Sequence, residues 1–165
     1  MRLPPDRVKL TAALLLLVVL HFVLRPLFAP SRFAPDLILV ALVFLAIRTR
    51  PAVGAVAGFV VGLLSDAVAP TTFGAGAFAL TIVGFAAGWL KAVVFADNLL
   101  VNALIVFAAS WVRDILEVAA SNQLRGGALG LQLLVLSPAA ALSTAAAALV
   151  ALLLLRGWLT AVPSR

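Results

Sequence analysis

Three ionisable residues, Arg113, Asp114 and Glu117, stand inside an otherwise apolar run, where few chains tolerate any charge. At 100° per residue these three share an arc of about 100° with Ser110 and Ser121. Arg113 and Glu117 are four residues apart, the spacing at which helical side chains pair. On insertion scales each charge costs about 2.5–3.5 kcal/mol at the centre of a bilayer, so the group is expected to face protein, water or itself. Three uses fit: an internal ion pair that locks helix packing, a polar site for a ligand or partner, or proximity to the outer membrane interface. Asp66 and the single His21 are the other polar groups inside apolar runs that are able to act as acid or base.

Catalytic sets are missing from the sequence. His21 has no nucleophile placed beside it, and zinc lacks its His/Cys cluster. No Walker-type or dinucleotide glycine motif occurs, and Gly74-x-Gly76 reads as a turn. With no cysteine, disulfides and thiolate chemistry are excluded. No catalytic residue, cofactor or metal is expected. Asp66, Asp114 and Glu117, acting as two carboxylates on a substrate, remain the only enzymatic reading, an intramembrane enzyme.

The elements that carry these residues follow from composition. Of 165 residues, 65% are hydrophobic and 11% charged, against about 45–50% and about 25% in soluble domains. So much apolar surface cannot be hidden in a soluble fold of this size. The chain is therefore expected to be an all-α integral membrane protein, a single domain of six transmembrane helices. The runs are about residues 8–24, 36–48, 52–67, 72–95, 98–120 and 138–155. Arg25-Pro26 ends the first run, which is basic at its start like a signal peptide. No cleavage site follows, and it reads as a retained helix. Run two is short, roughly 18 Å at 1.5 Å per residue against a core of roughly 30 Å, so Arg48 and Arg50 must snorkel or the bilayer must thin. Ser137-Pro138 reads as a cap and first helical position, leaving 128–136 as a short interfacial segment; one long kinked helix is the alternative.

The net charge of +6 sits at the ends of apolar runs and forms no basic face, so nucleic acid is not an expected partner. With the N-terminus cytoplasmic, Arg2, Arg7, Lys9, Arg48, Arg50, Lys91, Arg156 and Arg165 lie inside, and Arg25, Arg32 and Arg125 outside. That bias places both termini in the cytoplasm. Asp66, His21 and the Arg113 group then gather at the outer side.

Gly54, Gly58, Gly62 and Asp66 recur every four residues and share one helix face. Gly84 and Gly88 continue the small-residue pattern in the next helix. Such stripes let backbones approach closely in lipid. Packing inside one bundle is one use, and a seam for a partner or a homodimer is the other.

The stretch Pro35-Asp36-Leu-Ile-Leu-Val, then Gly54-x-x-x-Gly58-Phe59-x-x-Gly62-Leu63-Leu64-x-Asp66, then Phe73-Gly74, resembles the rod shape-determining protein MreD family. The resemblance is specific over about residues 35–88, and the flanks agree in hydropathy. It implies a fold similar to the six-helix substrate-binding (S) subunits of energy-coupling-factor transporters. It also implies a non-enzymatic scaffold in the bacterial inner membrane that binds MreC, a single-span protein. Through that complex it would act with the RodA glycosyltransferase and a class B penicillin-binding protein, and indirectly with MreB filaments. By the same analogy the stripe ending in Asp66 is structural, and Arg113-Asp114 occupies a place where the family often has an acidic residue, here self-neutralised. The competing reading is an energy-coupling-factor substrate subunit capturing a small polar solute through Asp66, Arg113, Asp114 and Glu117.

Overall fold

The computed structural model describes residues 5–28, 34–68, 74–90, 98–121 and 130–160. Phe73 and the basic residues Arg2, Arg32, Lys91, Arg125 and Arg165 lie outside them, as do the side chains of Arg7, Lys9, Arg25, Ser121 and Arg156. Nearly all the described residues are helical: α1 (Pro5–Phe28), α2 (Leu37–Ala46), α3 (Pro51–Val68), α4 (Ala75–Leu90), α5 (Leu99–Ser121), then a π-helical turn (Gln132–Leu136) that runs into α6 (Ser137–Thr160). Two stretches, Leu99–Ala120 and Gln132–Leu154, are long and apolar enough to cross a membrane.

α2 organises the molecule. Its sequence is apolar on every side, and a helix hydrophobic all round belongs in an interior. Leu37, Leu39 to Phe44 and Ala46 are all buried, and α2 packs against each of the other five helices. Its brevity is therefore a property of the core. Covered by the surrounding helices, α2 presents no long face of its own, so the mismatch inferred from its length alone does not carry over. Asp36 caps its start, accepting the Leu39 amide on Oδ1 at 3.1 Å. At the other end the Thr49 hydroxyl donates to Leu45 O at 2.9 Å. The Arg48 and Thr49 amides close i→i−3 bonds, and Pro51 opens α3 at the position where a missing N–H costs least.

Boundaries differ from expectation at several ends. α1 continues past Arg25-Pro26 to Phe28, because a proline in the closing turn forfeits one hydrogen bond without ending the helix. α4 is described from Ala75 to Leu90, with residues 72, 73 and 91–95 of the expected run outside the described residues. The segment before Pro138 is the largest difference. Residues 130–136 are helical and continuous with α6, so the expected separate segment and Pro138 start are joined in one helix, part of it π-helical.

Sequence and geometry explain that π turn. The Ser137 amide bonds Gln132 O, an i→i−5 step. The next amide in that register belongs to Pro138, which has no N–H, so Leu133 O loses its donor. Trp111 of α5 supplies one: its indole Nε1 donates to Leu133 O at 3.0 Å. An unsatisfied carbonyl in an apolar medium costs several kcal/mol, and a tertiary tryptophan removes that cost while fastening α6 to α5.

Candidate functional site

The polar groups collect around the N-terminus of α2. Asp36 Oδ2 accepts Arg113 Nη1 of α5 across 77 positions of sequence. Arg113 Nη2 meets Glu117 Oε2 at 3.2 Å, one turn further along α5. The Asp36 amide donates to Thr144 Oγ1 of α6 at 3.2 Å, and that hydroxyl donates to Ala140 O at 3.1 Å. His21 of α1 is buried with Nδ1 3.7 Å from Asp36 Oδ1. One residue thus caps its own helix and contacts three others, two through its carboxylate and one through its amide. The guanidinium, planar and always charged, bridges two carboxylates. Asp114, the next residue of α5, meets Ser137 at the start of α6 and lies close enough to Arg113 to act on its charge. Ser110, one turn earlier, is buried in the same region of α5.

The structure therefore brings Arg113 and Glu117 together, as their spacing implies, and adds Asp36, His21 and Thr144. In the sequence Asp36 stood out only within the Pro35-Asp36 stretch; its long-range partner was not readable. Thr144 carried no signal beyond the Ala, Ser and Thr content of its helix. Among the described residues no group of three or more His, Cys, Asp or Glu is arranged to hold a metal ion.

Asp66 stands apart from this ion network, in a socket of its own. Its side chain is 3% exposed and accepts three backbone amides: Gly74 N on Oδ2 at 3.0 Å, Ala77 N on Oδ2 at 2.9 Å and Gly76 N on Oδ1 at 3.1 Å. The last turn of α3 thereby caps the start of α4, where orphan amides and the helix dipole favour a negative charge. Gly74 holds φ +93°, a left-handed conformation that glycine adopts freely. A Cβ on Gly76 would strike the Asp66 carboxylate, reaching its Cγ at 3.1 Å. The Gly74-x-Gly76 turn is the receptor for Asp66, a role invisible until α3 and α4 are paired.

The glycines make that pairing. A Cβ on Gly54 would collide with the Gly84 carbonyl, and one on Gly58 would lie 2.6 Å from Leu80 C. At Gly62 it would lie 2.7 Å from Ala77 N and Gly76 O, and at Gly88 2.8 Å from Pro51 Cα. Gly54, Gly58, Gly62, Gly84 and Gly88 are thus consumed in one seam between α3 and α4, ending at Asp66. Opposite the seam, α3 exposes Val56, Phe59 and Leu64, and α4 exposes Phe78, Phe85 and Trp89. Apolar residues with no protein to cover them belong against lipid or another membrane helix.

Among curated proteins and among solved structures, none matches the chain significantly. The family model for the rod shape-determining protein MreD matches residues 7–156, nearly the whole length. That span includes α2 with its Asp36 cap, the glycine seam with Asp66, and the Arg113 cluster. The chain belongs to the MreD family of rod shape-determining proteins, membrane proteins of the machinery that sets rod shape.

Proposed function

We propose that the protein is a non-enzymatic, multi-pass scaffold of that machinery in the bacterial inner membrane. In this reading its six helices all span, in a bundle similar to the substrate-binding subunits of energy-coupling-factor transporters, with both termini cytoplasmic. It grips the helix of an MreC-like single-span protein and helps control peptidoglycan synthesis by RodA and a class B penicillin-binding protein, with MreB filaments engaged indirectly. The observation that carries the reading is the family match over residues 7–156. The chemistry agrees. Asp66 is consumed by three amides, and Asp36 and Glu117 are held by Arg113. A general base or nucleophile needs a free, correctly placed lone pair, and these carboxylates are occupied with packing. The same pairing weakens the solute-capture reading, which needs carboxylates open to a ligand.

Co-purification tests the proposal. The tagged full chain, expressed with an MreC-like single-span protein and extracted in mild detergent, is expected to retain that protein in a defined ratio. Recovery of the chain alone from such membranes overturns the scaffold reading. Solute capture would show as thermal stabilisation by vitamins or metal ions, because a ligand that binds the folded state raises its stability with saturation; flat melting curves are expected.

A further inference from the structure

The end of the bundle away from Asp36 carries positive charge that the chain leaves unanswered. His21 of α1, Asp36 before α2 and Thr144 of α6 meet at one level. Lys9 lies twelve residues before His21, Arg48 twelve after Asp36 and Arg156 twelve after Thr144. At 1.5 Å per residue each interval spans roughly 18 Å, so three neighbouring helices bring a basic residue to a second shared level. Arg50 follows Arg48 by two positions, and Asp6 is the one acid at this end among the described residues. Asp114 and Glu117 lie with Asp36 at the opposite end, and Asp66 is sixteen residues along α3 from Arg50. Arg48 and Arg50 are exposed, and neither has an ion-pair partner among the described residues.

The turn that carries them is fixed in place. The Arg48 amide bonds Leu45 O, the Thr49 amide bonds Ala46 O, and Ile47 between them and the core is buried. α4 ends against the same turn, where a Cβ on Gly88 would lie 2.8 Å from Pro51 Cα. That contact sets Trp89 at the level of the arginines, and Trp89 is 58% exposed. Tryptophan collects where hydrocarbon meets headgroups, because its ring is apolar and its N–H needs a polar partner. The basic level is therefore the headgroup level.

We propose that this end binds the headgroup phosphate of an anionic phospholipid between the ends of α1, α2 and α6. Arg48 supplies a planar fork matched to phosphate oxygens, and Lys9 and Arg156 are the basic positions beside it. Basic sites between membrane helices recognise acidic lipid headgroups in this way. An acidic protein segment would also answer the charge, but the exposed Trp89 beside the turn favours lipid. α1 touches α6 only lightly, so a phosphate bridging their ends also ties α1 into the bundle. The site needs no protein partner and is tested apart from the scaffold reading.

The full chain, stripped of lipid in a neutral detergent, is titrated separately with phosphatidylglycerol, phosphatidylcholine and inorganic phosphate. Native mass spectrometry counts the lipid retained, and melting reports its effect on the fold. Phosphatidylglycerol is expected to be retained and to raise the melting point with saturation; phosphatidylcholine is not. Lys9→Gln, Arg48→Gln and Arg156→Gln are each expected to weaken binding about fivefold, and together about a hundredfold. Arg25→Gln, at the other end of α1, should change it little. Unchanged affinity in the triple variant overturns the proposal and leaves the basic end to an acidic protein segment. Equal retention of phosphatidylcholine overturns it as well, by reducing the contact to acyl-chain packing. Equal stabilisation by inorganic phosphate assigns the site to a free anion and removes the lipid. If the triple variant melts early without lipid, the unaltered chain decides: salt screens exposed charge, so phosphatidylglycerol binding that ignores added salt overturns the proposal.

Discussion

Asp66 and Asp36 are both carboxylates at helix ends, yet they are held by different chemistry. Asp66 is surrounded by three amides and pairs with no cation among the described residues, so it acts as a cap. Hydrogen bonds to a charged group are each worth about 1.5–3 kcal/mol, so Asp66→Ala is expected to destabilise the protein by at least about 3 kcal/mol. Asp66→Asn, which keeps one acceptor oxygen, should cost less, and Gly76→Ala should resemble Asp66→Ala because its Cβ displaces the carboxylate. Melting in detergent, compared across the three variants, tests that order; an unchanged melting point for Asp66→Ala would refute the cap. Asp36 instead neutralises Arg113, and Asp36→Ala leaves the guanidinium with Glu117 as its remaining ion-pair partner among the described residues. Breaking a buried pair from one side costs about 3–5 kcal/mol, whereas removing both partners is often close to neutral. Asp36→Ala combined with Arg113→Met is therefore expected to recover much of the stability that Asp36→Ala loses, and a purely additive double variant would contradict the pairing. The four-residue spacing made Arg113–Glu117 legible in the sequence. The pairing with Asp36 was not, because a contact across 77 positions leaves no local trace.

Helix identity was written in hydropathy, and one helix face in the glycine period; what that face met was not. Gly54, Gly58, Gly62 and Asp66 fit a partner seam as well as an internal one until α4 supplies Gly84, Ala77 and the Gly74–Gly76 turn. The seam predicts a sharp asymmetry around α3. Gly58→Ala pushes a Cβ against the Leu80 backbone, which cannot move aside as a side chain can. Overpacking costs typically about 1–3 kcal/mol, so this variant should melt early, whereas Val56→Ala on the exposed face should change little. Equal effects on the two faces would contradict the α3–α4 contact. The π turn was missed for a related reason. Pro138 announced a lost hydrogen bond, and a cap at Ser137 is the local answer, but Trp111 offers a distant one. Trp111→Phe is expected to orphan Leu133 O at a cost of about 1–3 kcal/mol. In a Pro138→Ala background, where residue 138 regains its N–H, the same change should cost less. A double-mutant cycle reads that coupling directly, and strict additivity would separate the tryptophan from the carbonyl.

Across the whole molecule, α2 and its cap give the bundle two unlike ends: Arg48 and Arg50 at one, and at the other the Asp36 cluster with helices rising past it. Which end faces the cytoplasm determines whether the Asp36 cluster lies toward the extracytoplasmic side, and the basic residues argue the case. In the six-span reading eight fall on the side of the Arg48–Arg50 turn and three on the other, and translocation disfavours Lys and Arg in short loops. Because the chain contains no cysteine, single reporters can be placed without background. Arg48→Cys is expected to react with a membrane-impermeant maleimide only in inside-out vesicles or after permeabilisation, while Ala34→Cys reacts in intact spheroplasts. Arg50 remains in the first variant to hold the orientation. The reverse pattern would turn the Asp36 cluster toward the cytoplasm. It would also require the eight basic residues to have been translocated against their usual preference.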